Sequence, residues 1–131
     1  PVITLTTDLG TGDYYLGIVK GELLKAIPEA QIIDISNDIE AFSTMHGAFV
    51  LRNSYHHFPK GTIHLVGVNS FHDQQASTII VKHDGYFFVG HDNGLFGLVW
   101  DDLVPKEIYR VTLSDEELSG SLPLGNVFGR V

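Results

Sequence analysis

Three short polar segments hold the residues of this sequence that are best suited to chemistry. They are Thr7–Asp13, Asn69–Asp73 and Gly90–Gly94, and each follows a stretch of residues typical of a β-strand. If these strands are parallel, their carboxyl ends lie at one edge of a sheet, where open α/β proteins bind their ligands. The three segments therefore predict a single polar site built from three loops.

Asp8, in the first segment, is a candidate for binding a sugar, because the two oxygens of a carboxylate can accept both hydroxyls of a ribose 2′,3′-diol. Gly10 and Gly12 do not belong to a dinucleotide fingerprint, since the third glycine of that motif would fall at Tyr15. No Gly-Lys-Ser/Thr follows that would form a phosphate-binding loop. The alternative is that Asp8 only stabilises the glycine-rich turn, and the residues alone leave both interpretations open.

Asp92-Asn93-Gly94, in the third segment, also has two interpretations. Residues of these types are typical of a tight turn, but the two polar side chains could instead form a wall beside a ligand. Asp34 is different, because it alternates with Ile33 and Ile35. We expect it on the solvated face of a strand rather than in a site.

The histidines do not form a metal-binding pattern. His56 and His57 are adjacent, so on a helix they would point about 100° apart. No His-x-x-x-His or His-Glu-x-x-His spacing occurs, and the absence of cysteine excludes thiolate zinc sites, disulfides and a cysteine nucleophile. We therefore expect no metal. A hydrolase that uses Asp8, Asp92 and His72 around a metal is kept as an alternative.

The elements that must position the three segments alternate between strand and helix. The predicted strands are Val2–Thr7, Gln31–Ser36, Thr62–Val68, Thr78–Lys82, Tyr86–Gly90 and Lys106–Val111. Asp13 is the expected N-cap of a helix that Pro28 ends, and Ser43 is the expected N-cap of a second helix that runs to about His56. This order predicts an α/β fold, a mostly parallel sheet with flanking helices, to which His83-Asp84-Gly85 adds an antiparallel hairpin.

Apolar residues recur at helical spacing in both predicted helices. Leu16, Val19, Leu23 and Ile27 form a stripe that we expect to be buried. Met45, Ala48, Phe49 and Leu51 or Arg52 share neighbouring faces of the second helix. Gly94–Trp100 is apolar and cannot be assigned to strand or helix by its pattern. Leu113–Leu118 is acidic and could form a helical turn.

The chain is small and acidic. Its 131 residues favour one domain, and its hydrophobic fraction of 44% is typical of a globular protein. The net charge of −8 argues against binding to nucleic acid or an anionic membrane, both of which need basic patches. No apolar run approaches about 18 residues, so we expect no membrane span, and we expect a cytoplasmic location. The apolar residues before Val131 suggest a truncated chain.

Blocks of residues along the chain resemble one family, in order and with few gaps. The blocks are Ile3–Gly10, Asp13, Gly17, Lys20-Gly21, Pro28–Ser36, Phe58–His64 and Asp92–Leu95. Together they resemble the N-terminal domain of the S-adenosylmethionine (SAM) hydroxide adenosyltransferase family, which includes the SAM-dependent fluorinase and chlorinase. The resemblance covers about residues 2–100.

The resemblance implies an α/β N-terminal domain, here residues 1–131, that is normally followed by a small β-rich C-terminal domain absent from this chain. It also implies a homotrimer that holds SAM between one subunit's N-terminal domain and its neighbour's C-terminal domain. SAM or adenosine is then the small-molecule partner, with SAM as substrate and no separate cofactor. In the family reaction, water or a halide attacks C5′ of the ribose and methionine leaves.

Individual positions carry implied roles by the same resemblance. Asp8 matches the carboxylate that binds the ribose diol, and Phe42 falls where the halogenases have an aromatic pocket wall. The implied substrate-binding residues are Asp8, Phe42, Asn69, Phe71, Asp92 and Asn93, and the implied catalytic residues are Asn69 and His72.

The loop after the third strand departs from the family. Hydroxide-using members carry an Asp at the position of Asn69 and an Arg near the position of Ala76, which activate water together with a later His that has no match here. His72 is a substitute base by its chemistry, or else a solvated loop residue. The loop also lacks the tyrosine of the halogenase version. The expected function is cleavage of SAM to adenosine and methionine, with a non-catalytic module that binds SAM or adenosine as the alternative.

Overall fold

The structure, a computed structural model that describes residues 1–68, 77–100 and 107–111, is built around one mixed β-sheet. Within these residues the strands are β1 (Val2–Thr7), β2 (Gln31–Ser36), β3 (Ile63–Gly67), β4 (Thr78–His83), β5 (Tyr86–His91) and β6 (Glu107–Val111). The helices are α1 (Tyr15–Ala26), α2 (Thr44–Ser54) and α3 (Leu95–Val99), and a 3₁₀ turn covers Tyr55–His57. The strand order is β2-β1-β3-β5-β4-β6. β1 pairs in parallel with β2 and β3, as does β3 with β5, whereas β4 pairs antiparallel with β5 and β6, which confirms the predicted α/β class.

The register brings several strand ends to one edge of the sheet. Thr7, the last residue of β1, pairs with Gly67, the last residue of β3. Thr78 begins β4 and pairs with His91 on one side and with Val111 on the other, which are the last residues of β5 and β6. The carboxyl ends of β1, β3, β5 and β6 therefore share one edge, which we call the carboxyl edge.

Apolar side chains pack against both faces of the sheet, because successive residues of a strand point to opposite faces. One face carries Ile3, Leu5, Leu65 and Val89 and is covered by Leu16, Val19 and Leu23 of α1. The other carries Val66, Val68, Ile79, Val81, Tyr86 and Phe88 and is covered by Ala48 and Leu51 of α2 and by Leu95, Phe96 and Val99 of α3. The sheet is thus covered by α1 on one face and by α2 and α3 on the other.

The N-terminus of α1 differs from the prediction. Asp13 is not the N-cap, which is Tyr14, and no side chain caps the helix. The Asp13 carboxylate instead accepts the backbone N–H of Tyr14 at 2.7 Å, so it is bonded to the next residue rather than to an amide of the first turn. The predicted stripe is buried except for Ile27, which is half-buried at the C-cap, and the helix ends before Pro28 as expected.

The N-terminus of α2 confirms the prediction. Ser43 is the N-cap, and its Oγ accepts the backbone N–H of His46 at 3.1 Å. The helix ends at Ser54 and passes directly into the 3₁₀ turn, which lies where the sequence predicted its end.

The buried face of α2 includes a glycine, Gly47, at a close contact with α3 and the end of β3. Met45 and Phe49 are 75% and 59% exposed, although they share the apolar spacing of Ala48 and Leu51. Gly47 is buried instead, and a Cβ placed there would lie 2.9 Å from Leu95 Cδ1 and 3.0 Å from Val68 Cγ2. Gly47 therefore allows α2 to approach α3 and the end of β3 closely, with Ala48 and Leu51 buried beside it and with Met45 and Phe49 exposed.

The hairpin between β4 and β5 forms as predicted, with Asp84 at φ 52° and Gly85 at φ 81°. Positive φ at both central residues is the geometry of a tight two-residue turn. The unassigned apolar segment after β5 is helical, because Gly94 at φ 89° directs the chain into α3. The possible helical turn at Leu113–Leu118 lies outside the described residues. Among those that are described, no helix has the length and apolar character needed to cross a membrane.

Candidate functional site

The loops that leave β1 and β2 are joined by backbone hydrogen bonds at the carboxyl edge. The N–H of Asp8 donates to Gly67 O at 3.3 Å, which continues the pairing of β1 with β3 by one residue. The N–H of Gly10 donates to Asn37 O at 2.7 Å, and the N–H of Ile39 donates to Thr7 O at 3.2 Å. These bonds hold the first segment against the loop that follows β2.

A buried side-chain pair reinforces this junction. The Thr7 hydroxyl donates to Asn37 Oδ1 at 2.8 Å and accepts the backbone N–H of Leu9 at 3.3 Å. Thr7 and Asn37 are 0% and 3% exposed, so leaving either group without a partner would be costly. The turn that carries Asp8 is therefore held by the Thr7 hydroxyl and by the backbone.

Asp8 and Phe42 meet, although they are far apart in sequence. The backbone N–H of Phe42 donates to Asp8 Oδ2 at 3.2 Å. Phe42 adopts φ 65°, in the left-handed region that residues with a Cβ rarely occupy, and its side chain is 57% exposed. The structure therefore brings two sequence-predicted residues together, one of them in a strained backbone conformation. A ligand contact by Asp8 or Phe42 stays a prediction.

The turn that presents Phe42 is closed by a histidine that the sequence analysis did not select. His46 Nδ1 accepts the backbone N–H of Glu40 at 2.8 Å, and the N–H of Ser43 donates to Glu40 O at 3.0 Å. The available signal was the spacing Ser43-x-x-His46, which puts the histidine where a capping box has Glu or Gln.

Asn93 holds the end of β5 to the end of β3. Its Nδ2 donates to Val68 O at 2.9 Å, and its Oδ1 accepts the N–H of Leu95 at 3.3 Å. These two bonds are typical of a tight turn, which was one of the two interpretations of Asp92-Asn93-Gly94. A ligand contact by Asn93 stays a prediction.

Asp92 lies beside Asn93 and forms an ion pair with Arg110 of β6, where Asp92 Oδ2 and Arg110 Nη1 are 2.7 Å apart. Both side chains are exposed, so the pair contributes little to stability by itself. Arg110 nevertheless brings a positive charge to the carboxyl edge. The sequence did not predict this charge, because Arg110 lies near Asp92 only through the strand order, in which β4 separates β5 from β6.

The remaining predicted residues fall into two sets, one outside the described part of the chain and one on the surface of β2. Asn69, Phe71, His72 and Ala76 lie outside the described residues, in the stretch between Val68 and Ser77. Asp34 is exposed on β2, as expected, and pairs with Lys20 at 2.8 Å. In residues 1–68, 77–100 and 107–111 no three His, Asp or Glu side chains are grouped as metal ligands would be.

His64 is a buried polar residue with a different environment. It lies near the start of β3, where Thr4 Oγ1 and His64 Nδ1 are 2.6 Å apart in a hydrogen bond. Its ring contacts Tyr55 and stacks on Phe88 at a centroid distance of 5.1 Å. Burial lowers the pKa of His64 to about 4, against a smaller opposing effect of the Tyr55 backbone, so the ring is neutral at pH 7. Its position and neutrality indicate a structural role.

Comparison with known proteins finds, over most of the chain, the same family that the sequence blocks resemble. Residues 3–131 match the N-terminal domain of the SAM hydroxide adenosyltransferases. A relative from Methanocaldococcus jannaschii named (R)-S-adenosyl-L-methionine hydrolase is 39% identical over 121 residues, which are 88% of this chain and 44% of the relative. A Thermus thermophilus protein of the same name is 28% identical over 100 residues, which are 76% of this chain and 38% of that protein. The chain thus spans less than half the length of these curated relatives.

Solved structures agree on the fold. An uncharacterised conserved protein from Thermotoga maritima superimposes with a TM-score of 0.77 at 24% identity, covering 99% of this chain and 54% of that one. A conserved hypothetical protein from Thermus thermophilus superimposes with a TM-score of 0.76 at 23% identity, covering 99% and 52%.

Proposed function

Because the chain belongs to the SAM hydroxide adenosyltransferase family through its N-terminal domain, we propose that it binds SAM at the carboxyl edge and, in the complete protein, cleaves SAM at C5′ of the ribose. The products would be adenosine and methionine. The observation that carries the proposal is the contact of the Asp8 carboxylate with the backbone of Phe42.

Asp8 is proposed to accept the ribose hydroxyls. It is half-buried at the end of β1, and the N–H of Phe42 fixes the orientation of its carboxylate before a ligand arrives. A carboxylate that is already oriented forms strong hydrogen bonds with two hydroxyls at little further entropic cost. The exposed ring of Phe42 lies on the turn before α2, next to the Asp8 carboxylate that its backbone contacts, and would cover part of the nucleoside.

The proposed reaction is a displacement in line with the C5′–sulfur bond. The oxygen of water attacks C5′, the bond to sulfur breaks, methionine leaves with the electron pair, and a base takes the proton from the water. An anionic nucleophile and a sulfonium neutralise each other in the transition state, so a dry pocket of low dielectric strengthens their attraction. Precise in-line placement of the attacking oxygen, C5′ and sulfur supplies the rest of the rate acceleration. His72 is the proposed base, because Asn69 cannot accept a proton at neutral pH.

The proposed active assembly is a homotrimer in which a neighbouring subunit completes the site. SAM is the proposed substrate, and no further cofactor is proposed.

A second function is favoured by two residues of the sequence. Asn69 and Ala76 stand where hydroxide-using relatives have a water-activating Asp and Arg. A module that binds SAM or adenosine without cleaving it would retain Asp8 and Phe42 and dispense with that pair.

Two measurements on the complete protein separate these functions. Calorimetry with SAM and with adenosine tests binding, and the absence of heat at millimolar ligand would contradict both functions. Incubation with SAM followed by chromatography tests cleavage, for which adenosine and methionine should appear in equal amounts. Binding without product would leave the non-catalytic module as the function.

A further inference from the structure

We infer that His46 is a positioning residue for the SAM site, because its imidazole holds the turn that presents Phe42 to Asp8. This inference rests on the proposed function, since the turn matters for binding only if Asp8 and Phe42 line the site. His46 itself lies in the first turn of α2, and its imidazole is bonded to the backbone of Glu40 rather than to a residue that we propose to contact SAM.

The His46 imidazole bonds to a residue that precedes the N-cap Ser43 rather than to the N-cap itself. In a capping box the third helical residue returns to the N–H of the N-cap itself. Here the N–H of Ser43 already donates to Glu40 O at 3.0 Å, and the half-buried imidazole of His46 reaches past it to the N–H of Glu40 at 2.8 Å. Accepting at Nδ1 requires that the neutral ring carry its proton on Nε2.

The turn needs this support because Phe42 does not favour its own conformation. A residue with a Cβ at φ 65° leaves that region readily unless its surroundings hold it. The Phe42 residue is 57% exposed, so burial of its side chain is less than complete. The hydrogen bonds of the flanking backbone, one of them to His46, therefore fix the position of the Phe42 N–H that donates to Asp8.

A helix-capping role alone would be fulfilled by Ser43. The Ser43 hydroxyl accepts the His46 backbone N–H at 3.1 Å, and this bond does not involve the imidazole. Replacing the ring therefore leaves the cap of α2 in place and removes only the bond to Glu40. Asparagine puts its Oδ1 close to the position of Nδ1, so His46→Asn is the conservative variant that should restore the bond.

The test compares His46→Ala, His46→Asn and the control His57→Ala, which removes an exposed imidazole from the 3₁₀ turn. Amide hydrogen exchange of Glu40 and Phe42, followed by NMR without ligand, should be faster by about fivefold to tenfold in His46→Ala. It should be close to wild type in His46→Asn and in His57→Ala. Unchanged exchange in His46→Ala, or equally fast exchange in His46→Asn, would overturn the inference.

Calorimetry with SAM on the complete protein then tests the consequence for the site. The Kd should rise by roughly fivefold in His46→Ala and recover in His46→Asn, with melting temperatures close to wild type. If Kd is unchanged while exchange is faster, the turn does not position the SAM site and the inference is wrong. If the wild-type protein binds no SAM, the proposed function is wrong, and so is the proposed role of His46 in SAM binding. The exchange rates would still decide whether His46 holds the turn.

Discussion

The backbone N–H of Phe42 donates to the carboxylate of Asp8 at 3.2 Å, across 34 positions of the sequence. This contact joins the loop after the interior strand β1 to the turn that begins α2. It brings together a carboxylate suited to ribose hydroxyls and an exposed aromatic ring. The two features that define the proposed site are therefore linked before any ligand binds.

Asp8→Asn should weaken SAM binding with little loss of stability. The amide retains an oxygen that can accept the N–H of Phe42 but loses the negative charge that favours the ribose hydroxyls. We expect a loss of about 1–3 kcal/mol in binding free energy, measured by calorimetry on the complete protein. Asp84→Asn is the matched control, because it removes a carboxylate from the β4–β5 turn at the opposite edge. A loss in the free energy of unfolding without ligand as large as the loss in binding free energy would instead assign Asp8 to the turn alone.

Phe42→Gly and Phe42→Ala should differ in stability but not in binding. Both remove the aromatic ring, so both should weaken SAM binding. Alanine keeps the cost of a Cβ at φ 65°, whereas glycine does not, and we expect the glycine variant to be more stable by about 1 kcal/mol in urea denaturation. Equal stabilities would show that the backbone relaxes once the ring is gone.

His64 should make the protein less stable in mild acid. The pKa of His64 is about 4 in the folded chain and about 6.5 when unfolded, so between these values the unfolded chain binds the proton more tightly. The stabilisation by the neutral ring is fully present above about pH 6.5 and is lost as the pH falls towards 4, by on the order of 3 kcal/mol. His64→Phe should flatten this part of the stability profile, and the exposed His57→Gln should not. Parallel profiles for the wild type and His64→Phe would contradict the buried neutral ring.

Gly47→Ala should destabilise the protein, although alanine is the better helix former. The added Cβ would lie 2.9 Å from Leu95 and 3.0 Å from Val68, and such crowding costs about 1–3 kcal/mol, which exceeds the gain in helix propensity. Gly21→Ala in α1 is the matched control, because nothing lies within 4 Å of its added Cβ. It should stabilise by roughly 0.5–1 kcal/mol in thermal or urea unfolding. Stabilisation by both variants would mean that α2 and α3 can move apart at no cost.

Most of the fold could be predicted because apolar periodicity determines it. The β-branched run of Val2–Thr7 and the stripe of Leu16, Val19 and Leu23 each have one consistent interpretation, and the structure confirms both. The five-residue helix Leu95–Val99 could not be assigned, since so short an apolar run fits either period. Asp13 failed as a cap because a carboxylate can bond to the nearest amide as well as to the first turn.

The site was less predictable because backbone groups build much of it. Asp8 and Phe42 were each selected from the sequence, but their contact uses a backbone N–H at a positive φ, which no side-chain pattern reveals. Arg110 was missed for a related reason, since only the strand order brings β6 to the same edge as β5. Contacts of this kind depend on the assembled sheet rather than on local sequence.

The position of β1 in the strand order also bears on how the chain folds during synthesis. β1 lies between β2 and β3, and the pairing of Thr4 with His64 spans 60 residues. At about 5–20 residues per second, a ribosome needs roughly 3–12 s to extend the chain from one to the other. The β4–β5 hairpin, joined by two residues, can close within microseconds of emerging. The strand β1, which Asp8 follows, is therefore made long before its partner β3, and the site can form only after the ribosome has supplied β3.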